Sequence, residues 1–265
     1  MPHILSSPAR TILSKATGFI SSFDYTLNPY GGCAFACTYC YAAFFAPSQQ
    51  LQDDWGRWVR VKENALALLQ RKRRRPLSGR SVYISSVTDP YQPIEKQLGL
   101  TRALLEELAA YHEVTVVIQT RSPLVVRDAD VLRRFRRVRV NLTVTTDDEE
   151  VRRAFEPQCP PNARRIAAAS ELMAQGIDTC ITLTPLLPVS DAQAFAARLC
   201  ASGVQRFVVQ DFHATKSRFV AGTGERARAL LAQRGWTPAR YHQTRDILMR
   251  ELPECIEGQA GFIPP

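Results

Sequence analysis

The chain has 265 residues, 45% of them hydrophobic, enough to bury one large core or two small ones. It contains no run of about 18 apolar residues, and Met1-Pro2-His3-Ile4 is not a charged region leading into an apolar one, so neither a membrane span nor a signal peptide is expected and a cytoplasmic location is. The 34 Lys+Arg exceed the 25 Asp+Glu to give a formal charge of +9, concentrated in two blocks, 71–80 (RKRRRPLSGR) and 133–139 (RRFRRVR). Such blocks can neutralise the phosphates of a nucleic acid or simply form solvated helix ends.

In chain order, residues 1–23 read as an irregular N-terminal arm. Short apolar, β-branched runs then alternate with helical patterns: strands at 24–27, 82–85, 114–119, 138–143, 178–183 and 205–209, and helices at 62–73, 101–110, 127–135, 161–175 and 191–201. Thr101 suits an N-cap, Pro161 a first helical turn, and Gly176 and Gly203 helix stops. Strands joined through helices pair in parallel, because the crossover must return the chain to the same end of the sheet. Six such units predict an α/β fold, a partial (βα)6 barrel over 24–219 whose working face lies at the carboxyl ends of the strands. Residues 220–265 read as a C-terminal extension of two helices, 225–233 and 238–252, and a coil. Gly222-Thr223-Gly224 is too short for a nucleotide fingerprint and reads as the start of a helix.

Seven cysteines are present, three of them within eight residues of "NPYGGCAFACTYCY": Cys33, Cys37 and Cys40, spaced C-x3-C-x2-C. In a reducing compartment this favours metal binding or catalysis over a disulfide framework. A structural zinc wants four ligands, commonly as paired C-x2-C units, and His3, His112, His213 and His242 are too scattered to complete such a set. A [4Fe–4S] cubane wants one thiolate per iron. Three thiolates leave one iron open to an exogenous ligand, unless a remote cysteine such as Cys159 or Cys180 closes it. A non-catalytic iron–sulfur electron carrier and a zinc-stabilised nucleic-acid-binding protein are the competing readings.

The C-x3-C-x2-C loop with Tyr39 before its last cysteine resembles the signature of the radical S-adenosylmethionine (SAM) superfamily. "FDYTLNPYGGCAFACTYCYA" (23–42), "SSVTDPYQPIEKQLGLTR" (85–102), "QTRSPLVVRDADVL" (119–132) and "FEPQCPPNARRI" (155–166) are similar, in order, to segments of its spore photoproduct lyase-like branch. The resemblance covers about residues 10–210 and implies a [4Fe–4S] cluster on Cys33, Cys37 and Cys40, SAM as cofactor, and a flavodoxin- or ferredoxin-type electron donor. It further implies SAM contacts from Tyr39, Thr88, Asp89, Thr120, Arg121, Ser122, Asn141, Thr143 and Arg165, with Glu156 able to pair with Arg165. Val87 stands where spore photoproduct lyase carries its hydrogen-donor cysteine, so the implication stops short of thymine-dimer repair. Cys159 is the candidate substitute donor. The substrate, whether nucleic acid, nucleotide or small metabolite, is not legible in the sequence.

Overall fold

The structure, a computed structural model, describes residues 2–212 and 224–265. The expected boundary between 219 and 220, together with His213, Gly222 and Thr223, lies outside the described residues. In chain order the strands are β1 (His3–Ser7), β2 (Leu13–Lys15), β3 (Tyr25–Leu27), β4 (Tyr30–Gly32), β5 (Trp58–Lys62), β6 (Ser81–Ile84), β7 (Thr115–Thr120), β8 (Arg137–Thr143), β9 (Asp178–Leu183), β10 (Arg206–Val209) and β11 (Glu254–Glu257). The large sheet runs β11-β10-β9-β8-β7-β6-β3-β2. Every pairing from β3 to β11 is parallel, and β2 closes one end antiparallel to β3. This open array of βα units is the partial barrel that the alternation predicts, and each of the six expected strands lies within one residue of its predicted ends.

Strand alternation divides the side chains between two faces. Leu27, Ile84, Val116, Ile118, Val140 and Leu142 meet the helices in the main core. Tyr83, Val117, Cys180 and Val208 point to the concave side, where Phe23 and Phe262 plug it. Cys180 is thus a packing residue on a core strand. Above the plug, Gln119 Nε2 donates to the Thr143 and Thr182 hydroxyls at 2.7 and 2.9 Å, forming a polar floor.

Several expectations are corrected. The N-terminal arm is not irregular: β1 pairs with β5, and β5 with β4, in a separate three-stranded sheet. Because Lys62 belongs to β5, the helix expected at 62–73 is Ala65–Gln70 followed by a 3-10 turn, Arg71–Arg74. Thr101 is no cap; Gly99, at φ 60°, precedes helix Leu100–Tyr111, and the Thr101 hydroxyl donates to the Pro90 carbonyl at 2.6 Å. The C-terminal coil contains β11, a seventh parallel strand. Gly176 and Gly203 do end their helices, at φ 76° and 80°. No helix among the described residues is long and apolar enough to cross a membrane.

The block 71–80 precedes β6 and the block 133–139 runs into the start of β8, so both stand at the amino ends of the strands. Arg73 forks onto Glu107 at 2.7 and 2.6 Å, and Arg139 is buried against Asp178 at 2.8 Å, so parts of both blocks serve the fold.

Candidate functional site

The small sheet exists to aim a loop. Its strand β4 ends at Gly32, whose φ is +69°; a Cβ there would lie 2.7 Å from both the ring and the carbonyl oxygen of Trp58. Gly56, at φ +96°, makes a second crossing, where a Cβ would meet the Cβ of Ala36 at 2.3 Å. Only glycine satisfies both the positive φ and the close approach. Between these points runs the cysteine loop, fixed from the barrel side as well: the Thr88 hydroxyl donates to the Gly32 carbonyl at 2.6 Å, the Gln92 side-chain carbonyl accepts from the Ala34 N–H at 2.9 Å, and the Thr38 N–H donates to the Phe155 carbonyl at 2.8 Å.

Cys33, Cys37 and Cys40 line one cavity of about 1050 Å³ at the carboxyl ends of the strands. Among the described residues no three His, Cys, Asp or Glu converge on a position for a single ion. Three thiols match a cubane that takes one thiolate on each of three irons and leaves the fourth open. Burial pushes the Cys33 thiol up, and that of Cys40 up to about 12. The Cys33 and Cys40 thiolates therefore form with metal binding rather than before it, whereas the hydrogen bond from Cys159 holds the Cys37 thiol below its ordinary value.

Opposite the loop, β7 ends in an ion network. Arg121 Nη2 donates to the Tyr39 hydroxyl at 3.1 Å, Tyr39 donates to the Glu156 carboxylate, and Glu156 pairs with Arg165 at 2.6 Å. Arg121 Nε stands 3.7 Å from Glu156 and makes no hydrogen bond. Burial alone would raise the Glu156 carboxyl, but the Arg165 and Arg121 guanidiniums and the Tyr39 hydroxyl hold it below the ordinary carboxylate range. Asp89 fixes where Arg121 leaves the strand: its oxygens accept from the Arg121 N–H at 2.8 Å, the Thr120 hydroxyl at 2.7 Å and the Tyr91 N–H at 2.9 Å. Burial nonetheless raises the Asp89 carboxyl.

Of the residues expected at the cofactor, Tyr39, Thr88, Asp89 and Arg121 line the cavity. The others stand behind that lining. Thr120 shares the helix-facing parity of Ile118, and the Ser122 hydroxyl accepts from the Leu124 N–H at 3.3 Å to start the turn Pro123–Asp128. Thr143 lies in the polar floor, and Asn141 sits buried on the same face with its Oδ1 lacking a hydrogen-bond partner. Arg165, fully buried, bonds the Pro160 and Thr143 carbonyls at 2.8 and 3.1 Å. Cys159, expected as a hydrogen donor, rests against Cys37, Sγ to Sγ 3.6 Å, instead of on the cavity wall. Sequence reading missed Gln92 and Asn28; the Asn28 Oδ1 accepts from the Ser86 and Val87 N–H groups at 2.9 and 3.2 Å. It also missed the cavity mouth, where Tyr41 and Phe45 are 43% and 62% exposed and their rings meet edge to face.

Residues 27–199 match the family model of the radical SAM superfamily. The chain belongs to this superfamily. A protein of Methanocaldococcus jannaschii is 37% identical over 169 residues, 64% of this chain and 62% of its own length. One of Mycobacterium tuberculosis is 32% identical over 175 residues, 63% of this chain and 50% of its own. The chain thus spans between half and two thirds of the length of these curated relatives. Spore photoproduct lyase complexed with dinucleoside spore photoproduct has the same fold at a TM-score of 0.62 and 15% identity, over 96% of this chain and 81% of that one. SuiB of Streptococcus suis bound to S-adenosylmethionine follows at 0.52 and 15%, over 87% and 49%.

The cofactors of the superfamily are a [4Fe–4S] cluster and SAM, and the residues present fit them. Cys33, Cys37 and Cys40 would hold three irons. The same cavity carries Arg121, whose guanidinium would suit a carboxylate.

Proposed function

We propose that this radical SAM protein cleaves SAM reductively at a site-differentiated [4Fe–4S] cluster and directs the resulting 5′-deoxyadenosyl radical to a hydrogen of a nucleic acid, nucleotide or small metabolite. The observation that carries the reading is the count of thiols on the cavity wall: three, with Cys159 turned onto Cys37 and off the lining. A closed set of four would suit an electron carrier. An open iron beside a cavity of this size suits a cofactor and a substrate together.

The chain's own groups then have distinct tasks. Arg121 binds the anionic end of the cofactor, held at its root by Asp89 and at its tip by Tyr39. Tyr41 and Phe45 offer π faces at the mouth, suited to a planar substrate. Val87, on the cavity wall, has no labile hydrogen to return, so a reaction that needs one from the protein must draw it from elsewhere. The electron comes from a flavodoxin- or ferredoxin-type donor. The basic blocks lie at the opposite ends of the strands from this mouth, which weighs against a nucleic-acid substrate.

The test is anaerobic: reconstitute with iron and sulfide, reduce, add SAM and quantify 5′-deoxyadenosine. The parent is expected to produce it above an enzyme-free blank. No product with iron and sulfide demonstrably bound would put the electron-carrier reading first, and one zinc without sulfide would put the zinc reading first. In the same preparation Arg121→Gln is expected to weaken SAM binding by about 10- to 100-fold, the equivalent of one charge-assisted hydrogen bond at roughly 1.5–3 kcal/mol. Its iron content should stay at the parent's level, and Arg121→Lys should recover part of the loss. Equal SAM affinity in Arg121→Gln would remove Arg121 from the cofactor site.

A further inference from the structure

Cys159 has no task in the reaction as written, yet its position is closely determined. The loop that carries it follows helix Glu149–Phe155 and is pinned by two buried guanidiniums. Arg152 Nη1 donates to the Cys159 and Glu156 carbonyls at 2.8 and 3.1 Å, and Arg165 Nε donates to the Pro160 carbonyl at 2.8 Å. The Cys159 N–H closes a turn onto the Glu156 carbonyl at 3.1 Å. The same stretch grips the cysteine loop through Phe155 and Thr38. The Cys159 Sγ is thereby set 3.6 Å from the Cys37 Sγ and 3.9 Å from the Phe35 carbonyl, with 6% of the residue exposed.

Either sulfur of this pair can donate while both are thiols. Iron takes cysteine as the thiolate, so a Cys37 that ligates the cluster keeps no proton to give. Cys159 is then the one S–H of the pair, facing an anionic sulfur. We propose that Cys159 is a positioning residue of the cluster site, donating an S–H···S hydrogen bond to the Cys37 thiolate and raising the cluster's reduction potential. The inference rests on the radical SAM reading above. Its physical basis is that reduction adds negative charge to the cluster and its sulfurs, so a donor aimed at one of them stabilises the reduced form more than the oxidised form. For a cluster that must be reduced before it can act, that bond eases the first electron transfer.

The experiment uses the reconstituted holoprotein as parent, Cys159→Ala and Cys159→Ser, each assayed for iron and sulfide and then titrated by potential with the reduced cluster followed by electron paramagnetic resonance. The expected result is similar iron and sulfide in all three and a midpoint shifted to more negative potential in Cys159→Ala. Cys159→Ser keeps a donor of nearly the same volume, so its midpoint is expected between those of the parent and the alanine variant, and it reads the bond even if the alanine variant loads poorly. Identical midpoints in the loaded proteins would reduce the contact to packing and overturn the proposal. It would equally be overturned if the parent's spectrum ignored SAM while that of Cys159→Ala responded, for Cys159 would then be the fourth iron ligand. A parent that assembles no cluster at all would defeat the radical SAM reading itself, an outcome distinct from a loaded cluster with an unmoved potential.

Discussion

Cys33→Ala and Cys40→Ala are each expected to bring 5′-deoxyadenosine down to the level of the enzyme-free blank, with iron and sulfide falling well below the parent's. Loss of an outer-shell partner costs roughly 10–100-fold in metal affinity, and loss of a ligand itself must exceed that. The two residues stand on the same cavity wall in a loop fastened at Gly32, Ala34, Ala36 and Thr38, so an alanine removes a thiolate without releasing the backbone that carries it. Cys37→Ala is the less discriminating variant: the Cys159 Sγ already lies 3.6 Å from the sulfur that would be removed and is the one thiol placed to replace it. The comparison to make is therefore Cys37→Ala against Cys37→Ala with Cys159→Ala, beside the other two single variants. Parent-level 5′-deoxyadenosine in Cys33→Ala or Cys40→Ala would mean that the loop is not the cluster site.

What the sequence discloses is face and order; what it conceals is depth. The parallel strands were readable because each is a short apolar run between helices, and the cysteine loop because its spacing is dense and odd-numbered. Parity along β7 also separates Arg121, on the cavity side with Gln119, from Thr120, on the helix side with Ile118, and applying it strictly would have set Thr120 aside. Asn141, Thr143 and Arg165 are a different matter. They belong to the barrel side of the fold, yet Gln119 and Glu156 pair with Thr143 and Arg165 there, and that layering is a property of the assembled sheet rather than of any one segment. The small sheet was hidden for another reason. His3–Ser7 is half exposed along its length and has no apolar face of its own to announce a strand, and of Trp58–Lys62 only Lys62 was read, as the start of the helix that follows. Likewise Glu254–Glu257 is a four-residue edge strand with no fully buried side chain. Edges carry little hydrophobic signal because only one side of them is paired.

Glu156→Gln is expected to destabilise the folded chain by about 3–5 kcal/mol, the usual cost of breaking a fully buried ion pair by removing one partner. Arg165 has no exposed surface and would keep only the Pro160 and Thr143 carbonyls once the carboxylate at 2.6 Å is gone. Tyr39 and Thr145 would also lose the charged acceptor that orients them, so the cysteine loop and the strand end loosen together. Denaturant titrations at several pH values check this and give a sign. The native carboxyl is held below its ordinary value of 4.5, so its contribution is complete above that value and is lost as the pH falls through the lower native one. The parent's midpoint should therefore decline in acid more steeply than that of Glu156→Gln, which lacks the titrating group, and the gap between them should narrow. Adding Arg165→Met to Glu156→Gln removes the stranded charge and should restore part of the loss, whereas simple additivity of the two substitutions would show that the pair is not coupled. The physical point is that the Glu156 carboxylate, buried between two guanidiniums, does two things at once: it satisfies the cation that ties the Pro160 loop to the barrel, and through Tyr39 it ties the barrel to the loop that carries Cys37 and Cys40.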